Sequence, residues 1–287
     1  LYTTVLIPGS GTYANEAVIG TFHDKSKILT PCNGIYGDRL HEIAEVLNLN
    51  STRLECNKVD KIRLNDLKNL NNYTHLSMIH HETSNGIEND INEIIPYVNS
   101  KNIISLVDGI SAFGGIPLNI EKLGVDYYVG SSNKCLHSFP GISFVIAKKK
   151  TLEKSKNRKS LSLDLYGQYL EFENNNQFRF TPPPQLINSL NHSLIELEKN
   201  GGVKARYNDY LEKNNMLRTR LEDAGLVSYI SNENQGPILV LFKYPWEDFN
   251  FYDLYLRLLK YDIIIYSAQI FDKEVFRIGN IGNVSKG

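Results

Sequence analysis

Short apolar runs alternate with longer stretches of helical periodicity through the first half of the chain. That is the pattern of a parallel sheet whose strands are joined by crossover helices. Residues 4–7 read as the end of a buried strand or helix, stopped by Pro8-Gly9. Residues 12–22 follow as a helix with Val18, Ile19 and Phe22 on one face. A short strand is predicted over 27–31, and then a helix over 34–47 whose stripe is Leu40, Ile43, Val46 and Leu47. Strands at 74–79 and 103–107 flank a helix at 91–99, and another strand follows at 125–129. The strand at 142–147 comes so soon after it, through the turn Pro140-Gly141, that an antiparallel return is expected. Helices over 185–199 and 204–223 end at Gly201-Gly202 and Gly225. The rest reads as strand 237–242, helix 251–260, and strands 263–266 and 275–278. The fold class is therefore α/β. A large domain with a mostly parallel sheet spans 1–195, and a small C-terminal α+β domain spans 196–287.

Composition narrows the functions this frame can serve. Thirty-one basic side chains against 32 acidic ones leave a net charge of −1, so no global field recruits nucleic acid. The basic run at 150–159 reads as a solvated surface helix. No apolar run approaches the ~20 residues of a membrane span. The three cysteines, Cys32, Cys56 and Cys135, are odd in number and have no paired spacing, which fits a reduced, cytoplasmic setting. The chain opens inside an apolar run and closes on a Gly- and Lys-containing tail, so further residues are expected at both ends.

Three polar elements fall at the ends of apolar runs. Gly9-Ser10-Gly11-Thr12 stands between a run and a helix, where backbone amides, the helix dipole and two hydroxyls can cup a phosphate. An ordinary turn with a threonine cap fits the same residues. Asp108 closes Ile103–Val107 at the strand edge where open parallel sheets hold ligands. Lys134 follows the next strand, 26 residues after Asp108. An amine and a carboxylate so placed match the needs of pyridoxal phosphate. The amine joins the cofactor's aldehyde covalently, and the carboxylate keeps its ring nitrogen protonated. Tyr36 can stack on such a ring or pack in the core. Arg277 interrupts an apolar strand and must meet an anion, either an internal carboxylate or a substrate. His80 and His81 would point to opposite faces of a strand, which argues against shared metal ligation. Cys135 lacks an activating partner and reads as a packing residue.

These motifs, taken in order, resemble the class V, fold-type I pyridoxal phosphate aminotransferases. The resemblance rests on Gly9-Ser10-Gly11-Thr12-Tyr13-Ala14, Asn33-Gly34-Ile35-Tyr36-Gly37, and His81-Glu82-Thr83-Ser84-Asn85-Gly86. It continues through Val107-Asp108-Gly109 and the residues to Pro117, then Ser132-Asn133-Lys134-Cys135 with Pro140-Gly141. Arg158 to Tyr166, Phe178-Arg179-Phe180-Thr181-Pro182 and Phe276-Arg277-Ile278-Gly279-Asn280 complete it. These last three are closer to the branch that moves the amine of 2-aminoethylphosphonate to pyruvate than to the alanine–glyoxylate branch.

The resemblance implies a role for each position. Ser10, Gly11 and Thr12 cup the cofactor phosphate, Tyr36 stacks on the ring, Ser84 lies at its hydroxyl side, and Asp108 pairs with its nitrogen. Asn133 borders the cofactor, Lys134 carries it, and Arg277 binds the acidic group of the substrate. Thr181 reaches the phosphate of a neighbouring subunit's cofactor, which implies a homodimer with shared sites. An amino phosphonate and a 2-oxo acid would be the substrates. The chain departs from the family at Thr83-Ser84-Asn85-Gly86 and at the loop Leu136-His137-Ser138-Phe139. Alanine–glyoxylate or serine–pyruvate transfer and a catalytically silent cofactor-binding scaffold are the competing readings. A cysteine desulfurase fits less well, because Asn133 precedes the lysine where that group has histidine.

Overall fold

The computed structural model describes residues 1–67, 69–268 and 274–285. Its strands are β1 (Tyr2–Pro8), β2 (Lys27–Cys32), β3 (Asn50–Glu55), β4 (His75–Ile79), β5 (His81–Glu82), β6 (Ile87–Glu88), β7 (Ile104–Asp108), β8 (Tyr127–Ser131) and β9 (Ile142–Lys148). Beyond them lie β10 (Leu239–Lys243), β11 (Tyr266–Ser267) and β12 (Val275–Gly279). The helices are α1 (Gly11–Ile19), α2 (Ile35–Val46), α3 (Ile91–Ser100), α4 (Ile120–Leu123), α5 (Lys149–Leu152), α6 (Leu165–Asn175), α7 (Pro184–Lys199), α8 (Gly202–Asp223) and α9 (Phe251–Leu259).

The central sheet has the order β1-β9-β8-β7-β4-β2-β3. The inner strands pair in parallel, whereas β9 is antiparallel to both β8 and β1. Because β1 and β8 both oppose β9, they point the same way, and β1 delivers its C-terminal end to the same edge as the parallel strands. The expected antiparallel return after residue 129 is present.

Each inner strand is largely apolar on both faces because helices cover both. Leu106, Tyr127 and Val129 pack with α1 and α2 through Ala14, Val18, Leu40 and Ile43. Their neighbours Val107 and Tyr128 pack instead with α3 through Ile91, Ile94, Ile95 and Val98. The alternation of side chains along a strand sends successive residues to opposite layers. Asp108 has the parity of Leu106, so its carboxyl emerges on the α1 side.

A second, antiparallel sheet, β10-β12-β11, is covered by apolar residues of α8 and α9, including Leu217, Leu221, Phe251 and Leu258. It is stitched to the β5–β6 hairpin by the Gly236 amide donating to Gly86 O at 2.7 Å and by Arg277 donating to Thr83 O at 3.0 Å.

Two expectations are corrected. Residues 263–265 are not strand; the strand begins at Tyr266. Asp262 takes a left-handed φ of 58°, and the amides of Asp262 and Ile263 bond back to Leu259 O and Leu258 O. These bonds close the end of α9 and delay the chain's entry into the sheet. The basic run at 150–159 is helical only as far as Leu152. Beyond that, Asn157 donates to Phe22 O and Lys159 pairs with Asp24, which draws the segment out along the protein surface.

Candidate active site

Two cavities open at the C-terminal edge of the parallel strands, where an α/β sheet holds ligands. The first, of about 170 Å³, is lined by Ser10, Gly11, Thr12, Tyr36, Asp108 and Lys134, with Asn15, Arg39, His81 and Asn133 among its other walls. The second, of about 310 Å³, is lined by Tyr36, Arg39, Ser84, Tyr266, Ser267 and Arg277, together with Ile35. Tyr36 and Arg39 belong to both, so the cavities adjoin.

The floor of the first cavity begins at the turn after β1. Gly9 has φ 140°, and a Cβ there would fall 2.1 Å from the Tyr13 ring, so only glycine fits. A Cβ on Gly11 would meet Ile110 at 2.3 Å. Ser10 stands at the N-cap of α1, but its side chain makes no capping bond, and the first turn holds no acidic residue. The amides and hydroxyls here are therefore not committed to an internal anion.

Asp108 sits at the opposite wall, 8% exposed. Its Oδ2 accepts from Asn15 Nδ2 at 2.6 Å and its Oδ1 from the Ile110 amide at 2.9 Å. Burial pushes its carboxyl up to about 6 despite these bonds and the more distant charges of Arg39 and Lys134. A buried carboxyl held by neutral donors is short of a cation, and a protonated ring nitrogen would supply one. Lys134 lies in the loop after β8 and lines the same cavity. Asn133 accepts from Ser131 Oγ at 2.6 Å, which fixes the residue before the lysine. The donor set, the buried carboxyl (without an ion-pair partner among the described residues) and the amine thus fit pyridoxal phosphate.

Tyr36 enters on the first turn of α2. The carboxylate of Glu82, wholly buried, accepts the amides of Gly37 (3.1 Å), Tyr36 (3.4 Å) and Ser84 (3.2 Å), along with the Ser84 hydroxyl. It caps the positive end of α2. Burial nevertheless raises its carboxyl to about 7, these hydrogen bonds opposing the shift. Ser84 Oγ in turn accepts from the Ile35 amide at 3.2 Å. Ser84 thus lines the second cavity and not the one that holds Lys134.

Other predicted residues divide in the same way. Arg277, half-buried on β12, lines the second cavity and lies 5.6 Å from the Tyr266 ring centroid. Thr181 lines neither cavity and is exposed on the segment before α7. His80 and His81 diverge as a strand requires: His80 Nδ1 meets Tyr128 Oη at 2.8 Å, whereas His81 borders the first cavity. Burial lowers both imidazoles to about 3, so both are neutral at pH 7. Cys135 is fully buried with its thiol pushed up to about 12, the state of an inert packing residue.

Asn15, Arg39 and Glu82 were not singled out by the sequence. Asn15 lies four residues after Gly11 and Arg39 three after Tyr36, spacings that share one helical face with a residue already implicated. That signal would have found the first two.

A model of the class-V aminotransferase family matches residues 2–269. The chain belongs to that family. A protein of Bacillus cereus called 2-aminoethylphosphonate–pyruvate transaminase is 39% identical over 290 residues, covering 99% of this chain and 80% of its own. A Bacillus thuringiensis protein of the same name matches to the same extent. Among solved structures, ureidoglycine–glyoxylate aminotransferase from Bacillus subtilis superposes with a TM-score of 0.89 at 20% identity, covering 98% of this chain and 75% of that one. Alanine–glyoxylate aminotransferase from Nostoc sp. gives 0.89 at 22% identity, with coverage of 98% and 76%. A phosphoserine aminotransferase from Trichomonas vaginalis, described as bound to PLP, gives 0.80 at 18% identity, with coverage of 97% and 77%. These likenesses show the fold, a fold-type I aminotransferase with its mostly parallel central sheet. Among the described residues, no helix is long and apolar enough to cross a membrane.

Proposed function

We propose that this class V aminotransferase uses pyridoxal 5'-phosphate to transfer the amine of 2-aminoethylphosphonate to pyruvate, giving phosphonoacetaldehyde and alanine. The observation that carries the reading is the shared wall of the two cavities. Lys134 and Asp108 line one, Arg277 lines the other, and Tyr36 and Arg39 border both. The relatives named for this reaction match nearly the whole chain.

The cofactor, when bound, supplies an aldehyde and an electron-withdrawing ring. The chain's residues do the rest. Ser10, Gly11 and Thr12 hold the phosphate with amides and hydroxyls at the start of α1. Tyr36 covers one face of the ring, and Asp108 keeps the ring nitrogen protonated. Lys134 holds the cofactor between turnovers. Its Nζ then takes the proton from the carbon that bears the substrate amine and, in the second half of the reaction, delivers a proton to the carbon of the 2-oxo acid that receives the amine. Arg277 binds the acidic end of the substrate, so that this carbon lies within reach of Nζ. Such positioning can contribute about 7–11 kcal/mol of barrier reduction in favourable cases.

Two further parts belong to this reading. Residues 1–195 act as the cofactor-binding unit and 196–287 as a smaller unit that brings Arg277 to the site. A homodimer places Thr181, exposed in the single chain, against the partner's cofactor phosphate. The setting is cytoplasmic, in keeping with three free cysteines.

The test mixes the protein, loaded with pyridoxal phosphate, with 2-aminoethylphosphonate and pyruvate, and quantifies alanine and phosphonoacetaldehyde. Equimolar formation of both is expected. No alanine from this pair, alongside turnover of serine or alanine with glyoxylate, would replace the substrate assignment.

A further inference from the structure

We infer that Arg39 and Arg277 together form a two-guanidinium site that selects dianionic substrates over monoanionic ones. The inference rests on the proposed role of Arg277 as the ligand of the substrate's acidic group and adds a second cation to it.

Arg39 and Arg277 line the same 310 Å³ cavity although they come from opposite ends of the chain. Neither guanidinium has a carboxylate within ion-pair distance among the described residues. Several other arginines are neutralised, among them Arg53 by Asp38 at 2.7 Å, Arg63 by Glu233 at 2.7 Å and Arg218 by Glu222 at 3.0 Å. Arg277 spends one nitrogen on Thr83 O and lies over the Tyr266 ring. Arg39 lies over the Tyr36 ring, 4.9 Å from its centroid. Aromatic faces hold cations in place without cancelling their charge. Both groups are half-buried, so their mutual repulsion is screened less than it would be in water.

An anion between the two relieves that repulsion, and charge decides how completely. A tetrahedral phosphonate, which carries up to two negative charges near neutrality, satisfies both guanidiniums and offers three oxygens to their N–H groups. A sulfonate has the same shape but one charge, so it leaves one cation unmatched. A carboxylate such as that of pyruvate also carries one charge. Arg39 therefore contributes to binding the amino donor more than the 2-oxo acid.

The test measures binding of ethylphosphonate and ethanesulfonate to the cofactor-loaded protein by calorimetry. These compounds lack the amine and cannot react. Wild type is expected to prefer the phosphonate by roughly tenfold or more. Arg39→Gln should bring the ratio to about one, mostly by weakening phosphonate binding, and Arg39→Lys should keep part of the preference. In turnover, Arg39→Gln should raise KM for the phosphonate donor several-fold more than KM for pyruvate. The cofactor's absorbance confirms that each variant is loaded. An unchanged ratio in Arg39→Gln, or no preference in wild type, overturns the inference. Wild-type turnover of 2-aminoethylphosphonate is scored separately. Turnover with an unmoved ratio defeats the two-arginine site alone, whereas a shifted ratio without turnover defeats the substrate assignment and leaves the dianion site standing.

Discussion

Asn15 donates its side-chain amide to the Asp108 carboxylate at 2.6 Å, joining α1 to the end of β7 across 93 residues of sequence. One helix therefore carries both ends of the proposed cofactor site. Its first turn offers the amides and hydroxyls proposed to take the phosphate, and its second turn holds the carboxylate proposed to face the ring nitrogen.

Removing that bond should loosen the cofactor without unfolding the protein. A hydrogen bond to a charged group contributes about 1.5–3 kcal/mol. Asn15→Ala is expected to weaken pyridoxal phosphate binding by roughly ten- to a hundredfold. Titration followed by visible absorbance reads this directly, and an unchanged dissociation constant would mean that Asp108 is held in place without Asn15.

Glu82 acts one step back, through α2. Burial lifts its carboxyl from 4.5 to about 7, so folding favours the protonated form. The contribution of this group to stability is complete below about pH 4.5 and is lost as pH rises through about 7, a change of ~3 kcal/mol. Glu82→Gln has no proton to lose. Urea denaturation of the cofactor-free protein at pH 5 and pH 8 should show a smaller decline in the variant than in wild type. Asp108, raised in the same direction, keeps the variant from becoming wholly flat. Equal declines in both proteins would contradict this account of Glu82.

Gly9 joins the phosphate turn to the lysine loop, its amide donating to Gly141 O at 2.8 Å. Its φ of 140° and the 2.1 Å approach of Tyr13 leave no room for a side chain. Gly9→Ala should cost about 2–4 kcal/mol of stability and weaken the phosphate site. Thermal unfolding with and without cofactor checks both effects. A stable variant of full cofactor affinity would show that the turn can relax.

The inner strands were legible because helices cover both faces, which writes them as apolar runs at Leu76–Ile79, Ile103–Val107 and Val125–Val129, each interrupted by a single polar residue, Ser77, Ser105 and Asp126. β3 was not, because Asn50–Glu55 is an edge strand of mostly polar residues whose partner lies on one side only. The β5–β6 hairpin, two residues per strand, is too short to leave a period. α6 escaped because Leu165–Asn175 buries only Leu165, Gln168 and Tyr169, too few apolar positions to mark a stripe.

Within the site, Lys134, Asp108 and the Ser10–Thr12 turn were readable as strand-end residues. Their meeting in one cavity depends on strand order, which puts β9 and β8 between β1 and β7. Glu82 was the hardest to read. It is distant in sequence from the helix it caps, and only tertiary structure brings the two together.

The central claim is that Lys134 carries the cofactor and Asp108 faces its other end. Borohydride reduction of the pyridoxal phosphate-loaded protein, followed by digestion and peptide mass mapping, tests it most directly. The account predicts a single stable pyridoxyl adduct on the peptide that contains Lys134, absent from Lys134→Ala. A label on another lysine, or none in a protein saturated with the cofactor, would contradict it.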